Sequence, residues 1–349
     1  MTTVGILLDQ RTYRKLLLGK TGNERVKLYN KAARRLKLKL LYMSLEGIHL
    51  RSGKATGYSP KGHHYVKLTR VIPKVIHNRT FPRGRIERKR LSVLSKCSYI
   101  FNAQNRYSKY RIHRLLQRNA GLRQYLPASQ AYSMQKLRRM MVNYEAIYIK
   151  PQRGSVGRGI IRIQQVRGGL WSIRTSKEST ILSKRATCRW VHQKVGDQLY
   201  MIQEGIHLTT YQGRPYDIRV SVQRGQSGRW QITGMVGKVA RKGSHVTNVA
   251  KGGTVKRCEL LFRHSRLPAN RTRAKLEDFS LLLANYVGNR LYRLADVGLD
   301  IGLSGSGKIY FIEMNCRDQR YSFAKAGLRR EFYHTYETPL RYASYLARR

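Results

Sequence analysis

Asp300, Glu313 and Asn315 stand close together in a chain with only 18 Asp and Glu against 70 Lys and Arg. The segment Asp300-Ile-Gly-Leu-Ser-Gly-Ser-Gly-Lys-Ile-Tyr-Phe-Ile-Glu313-Met-Asn315 predicts a strand, a Gly/Ser turn and a second strand. Glu313 and Asn315 are two apart, so they share a strand face. Gly298 and Gly302, the same-face neighbours of Asp300, leave room beside it. Two carboxylates and an amide carbonyl are hard oxygen donors that suit Mg²⁺ held jointly with substrate phosphates. A carboxylate pair across a hairpin can also be incidental. The run Gly302-Leu-Ser-Gly-Ser-Gly307-Lys308 lies close to a phosphate-binding P-loop, but Ile309 stands where Ser or Thr is needed and a strand follows instead of a helix. It reads as a hairpin turn.

Other residues could meet an anion. Lys150 ends a predicted strand and precedes Gly154, Ser155, Gly157 and Gly159, a loop whose backbone N–H groups can approach phosphate; a plain Gly-rich turn is the competing reading. Lys109 opens a helix, one lysine among many. Gln203, Glu204 and Gly205 end an apolar strand and could read an adenine edge or simply close the strand. Asp217 and Arg219 share one strand face, either as a structural ion pair or as ligand contacts. Asn248 lies in the glycine-rich loop 242–253.

These groups need elements to position them. Strands are predicted at Thr3–Leu8, Leu40–Met43, Tyr65–Ile76 and Ser98–Phe101, with helices over Asn23–Leu38 and about Ile86–Leu94, a β/α alternation that suggests a small α/β unit. Helices from Asn105 and over Met134–Met141 follow. Strands are then expected at Ala146–Lys150, Gly159–Gln164, Leu170–Arg174, Leu199–Glu204, Tyr216–Gln223 and Trp230–Val239. A helix over Arg273–Tyr292 precedes the acidic hairpin, and a C-terminal helix closes the chain. Antiparallel hairpins dominate this part, so the class is α+β. The expected division is residues 1–102, then 103–330 with a lid at about 128–200, then the helix 331–349.

With 349 residues and 41% apolar content the chain builds real cores, while a formal charge of +52 calls for a polyanionic partner or a generally basic surface. Cys97, Cys188, Cys258 and Cys316 lack metal-type spacing and predict reduced, cytosolic thiols. No apolar run approaches the roughly 18 residues of a membrane span, and the N-terminus reads as a strand and not a signal peptide. Specific nucleic-acid binding is not expected, since no helix-turn-helix, zinc-finger or RNA-recognition signature is present.

The ordered series of a helix-borne Lys, a strand-end Lys with a Gly-rich loop, Gln-Glu, Asp-x-Arg, an Asn before Gly-Gly, and Asp…Glu-x-Asn resembles the ATP-grasp superfamily over roughly residues 100–320. Asn102, Ser108-Lys109-Tyr110, Tyr125-Leu-Pro127, Lys150-Pro-x-x-Gly154-Ser-x-Gly157-x-Gly159, Pro215-Tyr-Asp217-Ile-Arg219 and Glu313-Met-Asn315 are most similar to the YheC/YheD-type endospore coat-associated proteins. The resemblance implies an ATP-grasp fold, two α/β subdomains clasping a nucleotide, behind a small α/β domain. It implies ATP and Mg²⁺ as cofactors, with Lys109 and Lys150 on the phosphates and the loop Gly154–Gly159 closing over them. Gln203, Glu204 and Gly205 would lie at the adenine and ribose, Asn248 near the phosphates or metal, and Asp300, Glu313 and Asn315 on Mg²⁺. Asp217 would shape the nucleotide side, with Lys238 and Arg219 as the catalytic candidates. The implied reaction is carboxylate–nucleophile ligation through an acylphosphate, in the cytoplasm of a sporulating cell and with possible spore association. The acceptor is an unidentified carboxylate or acidic molecule. The rival reading is an idle scaffold, a structural coat-associated protein docking onto polyanions. Where many ATP-grasp ligases continue Glu-x-Asn with Pro-Gly, this chain has Cys316-Arg-Asp-Gln-Arg320, which leaves the acceptor side open.

Overall fold

In a computed structural model the chain is described over residues 1–82, 84–154, 157–244, 247 and 249–349, with Lys251 described by its backbone alone. Three sheets carry it. The first begins with β1 (Thr3–Leu7), α1 (Gln10–Arg14), α2 (Val26–Arg35), β2 (Lys39–Met43), β3 (Ile48–His49), β4 (Lys54–Lys61), β5 (His64–Val71), β6 (Val75–Asn78), α3 (Arg85–Cys97) and β7 (Tyr99–Phe101). Parallel pairing of β2, β1, β6 and β7 forms its centre. Residues alternate between its two faces. Val4, Ile6, Leu40, Tyr42, Val75 and Phe101 pack under α2, while Leu7, Leu41, Met43, Ile76 and Ile100 meet Leu91 and Leu94 of α3. Burial on both faces is what parallel strands require.

The predicted strand Tyr65–Ile76 is two strands. Pro73, which has no N–H to donate, lies in the break; β5 pairs antiparallel with β4, and β6 pairs parallel with β1. Sequence pattern missed β4, whose Gly57 and Pro60 weaken the strand signal. A Cβ at Gly57 would stand 2.3 Å from the Tyr42 carbonyl oxygen, so glycine is needed for the close approach.

The second sheet follows α4 (Lys109–Gln117) and α5 (Ala120–Arg123). It contains β8 (Ser129–Ala131), α6 (Met134–Asn143), β9 (Ala146–Pro151), β10 (Ile161–Gln165), β11 (Trp171–Arg174), β12 (Ser179–Leu182), α7 (Lys184–Val195) and β13 (Tyr200–Glu204). Its strands pair antiparallel, and α6 and α7 cover one face over Ile147, Ile149, Ile161, Ile163 and Ile202. Tyr148, Lys150 and Gln203 therefore stand on the opposite face.

The third sheet holds β14 (Thr210–Tyr211), β15 (Arg214–Arg224), β16 (Trp230–Val239), β17 (Thr254–Lys256), β18 (Asp296–Leu303) and β19 (Ile309–Asn315), again antiparallel. Between β17 and β18 run α8 (Cys258–His264) and α9 (Ala269–Gly288), the latter beginning and ending about four residues earlier than periodicity suggests. With α4 they bury Tyr216, Ile218, Val220, Val222, Val297, Leu299, Ile301 and Phe311. The chain ends with α10 (Tyr321–Lys325) and α11 (Arg329–Leu346), whose Tyr336, Leu340 and Ala343 return to the core of the first sheet.

Candidate functional site

Strand alternation builds the site. On β15 the even residues 216–222 face the apolar core, so Asp217 and Arg219 face away from it; on β18, Val297, Leu299, Ile301 and Leu303 face the core and Asp300 does not. β19 is different. Ile309 and Phe311 face the core, and an unbroken period of two would send Glu313 there as well. The register shifts instead: Ile301 pairs with Phe311 but Asp300 pairs with Glu313, leaving Ile312 as an extra residue. This β-bulge turns Glu313 and Asn315 onto the face of Asp300. Alternation alone did not reveal it.

Cross-strand neighbours then form a buried ion network. Arg219 lies opposite Asp300 and donates to both of its oxygens, Nε to Oδ1 at 2.7 Å and Nη2 to Oδ2 at 3.0 Å. Lys238 lies opposite Asp217 and sits 2.7 Å from Asp300 Oδ1 and 3.0 Å from Asp217 Oδ1. Burial alone would raise the Asp300 pKa, but Arg219 and Lys238 outweigh it and hold the carboxyl well below its usual range. Asp217, which shares Lys238, moves up through burial and the Asp300 charge. Its other oxygen accepts from the Thr247 hydroxyl.

Asp318 is the member that sequence reading did not single out. It is fully buried and its Oδ1 accepts from Arg219 Nη1 at 2.8 Å. Gly298 makes room for it: a Cβ there would stand 2.3 Å from Asp318 Oδ1 and 3.1 Å from Arg219 Nη1. The space expected beside Asp300 is thus taken by Asp318 and Arg219. The one available signal was an acid between Arg317 and Arg320, just past the hairpin.

The two predicted phosphate lysines converge on the hairpin. Lys109 Nζ pairs with Glu313 Oε1 and lies 3.4 Å from the Gly154 carbonyl oxygen. Its backbone N–H donates to Gln152 O at 3.0 Å, tying the start of α4 to the loop after β9. Lys150 Nζ donates to Gln203 Oε1 at 2.5 Å. Burial and the neighbouring Lys109 charge push the Lys150 ammonium down to about 8, against the pull of Glu313. Gly157 and Gly159 take positive φ, 64° and 71°, as an anion-cradling loop allows.

The strand-end pair has local duties. Gln203 is buried, its amide donating to Ser129 Oγ at 3.0 Å while its oxygen holds Lys150. Glu204 Oε2 accepts from the Ala128 N–H at 3.0 Å, and Gly205 lies where a Cβ would meet Ala146 at 2.6 Å. The predicted contacts at Ser155 and Asn248 lie outside the described residues.

A divalent cation fits this donor set. Among the described residues no cluster of three or more His, Cys, Asp or Glu forms an all-protein cage. Mg²⁺ shared with phosphates instead takes one or two carboxylates and completes its shell from substrate and water. Glu313 uses one oxygen on Lys109, and Asn315 Nδ2 lies 3.4 Å from Asp300 Oδ2, the amide orientation being exchangeable. Each carboxylate has about four lone-pair sites. Lys109, Lys150, Arg219 and Lys238 balance Asp217, Asp300, Glu313 and Asp318, a neutral cluster within a strongly basic chain.

The model of a YheC/D-like ATP-grasp family matches residues 98–346, all but the first 97 and the last three residues. The chain is 27% identical over 315 residues to the endospore coat-associated protein YheD of Bacillus subtilis, covering 86% of this chain and 69% of that one. It is 23% identical over 238 residues to YheC of the same organism, covering 66% of this chain and 65% of that protein. Among solved structures, the ATP-grasp ligase PsnB, complexed with a phosphomimetic variant of its minimal precursor, Mg and ADP, shares the fold at a TM-score of 0.58 and 12% identity, covering 100% of this chain and 99% of that one.

Proposed function

We propose that this chain, which belongs to the YheC/D-like ATP-grasp family, uses ATP to join a carboxylate to an amine or other nucleophile through an acylphosphate. One observation carries the reading. Lys109, suited to phosphate oxygens, pairs with Glu313 at the strand end suited to a divalent cation, and Lys150 lies near enough for the charges of both to act on its ammonium, although the three come from separate elements. The structure of PsnB with Mg and ADP supports the same class of ligand.

The chemistry makes few covalent demands on the protein. A carboxylate oxygen bonds to the γ-phosphorus as the bond to the ADP oxygen breaks. The nucleophile's lone pair then attacks the acyl carbon, phosphate leaves with its bonding pair, and the nucleophile gives up a proton. Lys109 and Lys150 neutralise phosphate charge, Lys109 exchanging Glu313 for the nucleotide. When bound to Glu313, Asn315 and Asp300, Mg²⁺ supplies further neutralisation of the phosphates. Arg219 and Lys238 fix the orientation of Asp300, and Lys238 with Asp217 borders the nucleotide side. The second sheet acts as the lid, its Gly154–Gly159 loop excluding water that would hydrolyse the activated acyl group. The adenine lies against the Gln203–Gly205 strand end.

The names of YheD and YheC support a sporulation setting, with the protein in the cytoplasm or at the spore coat. Among the described residues no helix is long and apolar enough to cross a membrane.

The test replaces Glu313 and Asn315 together by Ala. The folded double variant loses Mg²⁺-dependent ATP binding in calorimetry; unchanged affinity rejects the site. Release of ADP and phosphate that rises with added acceptor then establishes ligation. Tight ATP binding without turnover over a broad acceptor panel favours the scaffold instead.

A further inference from the structure

A cavity of about 270 Å³ opens where the carboxyl ends of β1 and β6 meet the segment following β19. Ligands of open α/β sheets bind at this edge of the strands. Three arginines form its inner wall. Arg79 holds Glu24 Oε1 through Nε at 3.0 Å and Nη2 at 2.7 Å; Arg317 lies 3.3 Å from Asp9 and 3.4 Å from Glu24; Arg320 reaches Asp296 at 2.5 Å. Arg11, Lys15 and Lys20 line the outer part, exposed and, among the described residues, paired with no carboxylate. Six cations therefore face three carboxylates, Asp9, Glu24 and Asp296, a surplus of three positive charges.

The cavity adjoins the site already described. Arg317 follows Asn315 by two residues, so their Cα atoms lie within about 7 Å of each other. Arg79 Nη2 also donates to the Asp318 carbonyl oxygen at 2.8 Å, and the Asp318 side chain accepts from Arg219, which holds Asp300. A molecule presenting one carboxylate near Asn315 thus has further cations within a short peptide's reach. The volume lies just below the range of ligand pockets, about 300–1,000 Å³, which suits one or two side chains better than the backbone of a polymer. Arginine forks match carboxylates well.

We infer that this cavity recognises the acceptor, an acidic peptide carrying carboxylates beyond the one that is activated. The inference rests on the ligase reading for the purpose of the site, but binding can be measured without nucleotide. Fluorescein-labelled tetraglutamate is titrated with the full-length chain by anisotropy at low salt. The variant Lys15→Glu/Lys20→Glu alters exposed residues only, and weakens binding about tenfold or more by reversing two charges. Its Mg²⁺–ATP affinity stays at the wild-type value. The control Lys61→Glu/Arg70→Glu changes net charge equally on the β4–β5 hairpin and leaves peptide binding near wild type. Equal losses in both variants mean a diffuse basic surface and overturn the proposal. So does equal binding of tetraglutamine, or tighter binding of polyphosphate or an oligonucleotide with the same dependence on Lys15 and Lys20. Specific tetraglutamate binding by a chain that binds no ATP keeps the cavity assignment and removes the ligase reading alone.

Discussion

Lys150 shows how a single side chain ties the site to pH. Its ammonium is disfavoured by burial and by Lys109, and titrates near 8 in the folded chain against about 10.4 unperturbed. Only the protonated form attracts phosphate. Mg²⁺–ATP affinity therefore falls as pH rises through about 8, and binding at pH 8–9 takes up a proton. Calorimetry in buffers of different ionisation enthalpy measures the uptake. Lys150→Arg, charged throughout this range, removes both effects; the same slope in that variant would assign the titration elsewhere. For folding the sign is reversed. Because the folded pKa is depressed, the buried ammonium costs stability below about pH 8, and the cost disappears as pH rises towards 10.4.

At the scale of elements, the parallel centre of the first sheet and both long hairpins of the third are legible in the sequence, because their strands are short apolar runs, buried along nearly their whole length and bounded by turn residues. The site is legible as residue types in order: Lys109 reaches Glu313, Arg219 and Lys238 hold Asp300, and Lys150 holds Gln203, while Ser155 and Asn248 lie outside the described residues. What the sequence hides are the devices that aim them. The Ile312 bulge leaves no compositional mark, since an extra residue in an apolar strand looks like any other, yet it decides whether Glu313 faces the core or Asp300. Gly298 is hidden differently: the side chain that needs its missing Cβ is Asp318, twenty residues away, and strand pairing alone brings them together. Gly298→Ala sets a methyl against a buried, ion-paired carboxylate that has nowhere to move. It lowers stability by about 1–3 kcal/mol and weakens nucleotide binding. Denaturant midpoints at constant slope give the first number; an undisturbed midpoint means that Asp318 does not occupy this place.

For the whole molecule, the distribution of its few acids matters more than the net charge. Asp217, Asp300, Glu313 and Asp318 balance the lysines and arginine of the candidate site, and Glu24 and Asp296 anchor the arginines beside it; all but the part-exposed Glu313 belong to one connected interior network, five of the 18 acidic residues. The exterior is left with a large cationic excess, drawn from a formal total of +52. Two opposite salt effects follow. Surface repulsion acts over the Debye length, which shrinks from roughly 30 Å at 0.01 M to about 8 Å at 0.15 M salt, whereas buried pairs are screened far less. Added salt therefore relieves the repulsion while sparing the network, and the melting temperature rises over this range, most steeply at its low end. A protein held together by surface ion pairs would respond the other way. Melting curves in chloride from 0.01 to 0.3 M decide the matter: a flat or falling midpoint would show that the cations are already compensated by neighbouring acids. The acidic-peptide site in the cavity predicts an additional rise with oligoglutamate at constant ionic strength, because a ligand that binds only the folded chain stabilises it by mass action. That increment is absent in Lys15→Glu/Lys20→Glu, whose general salt response remains.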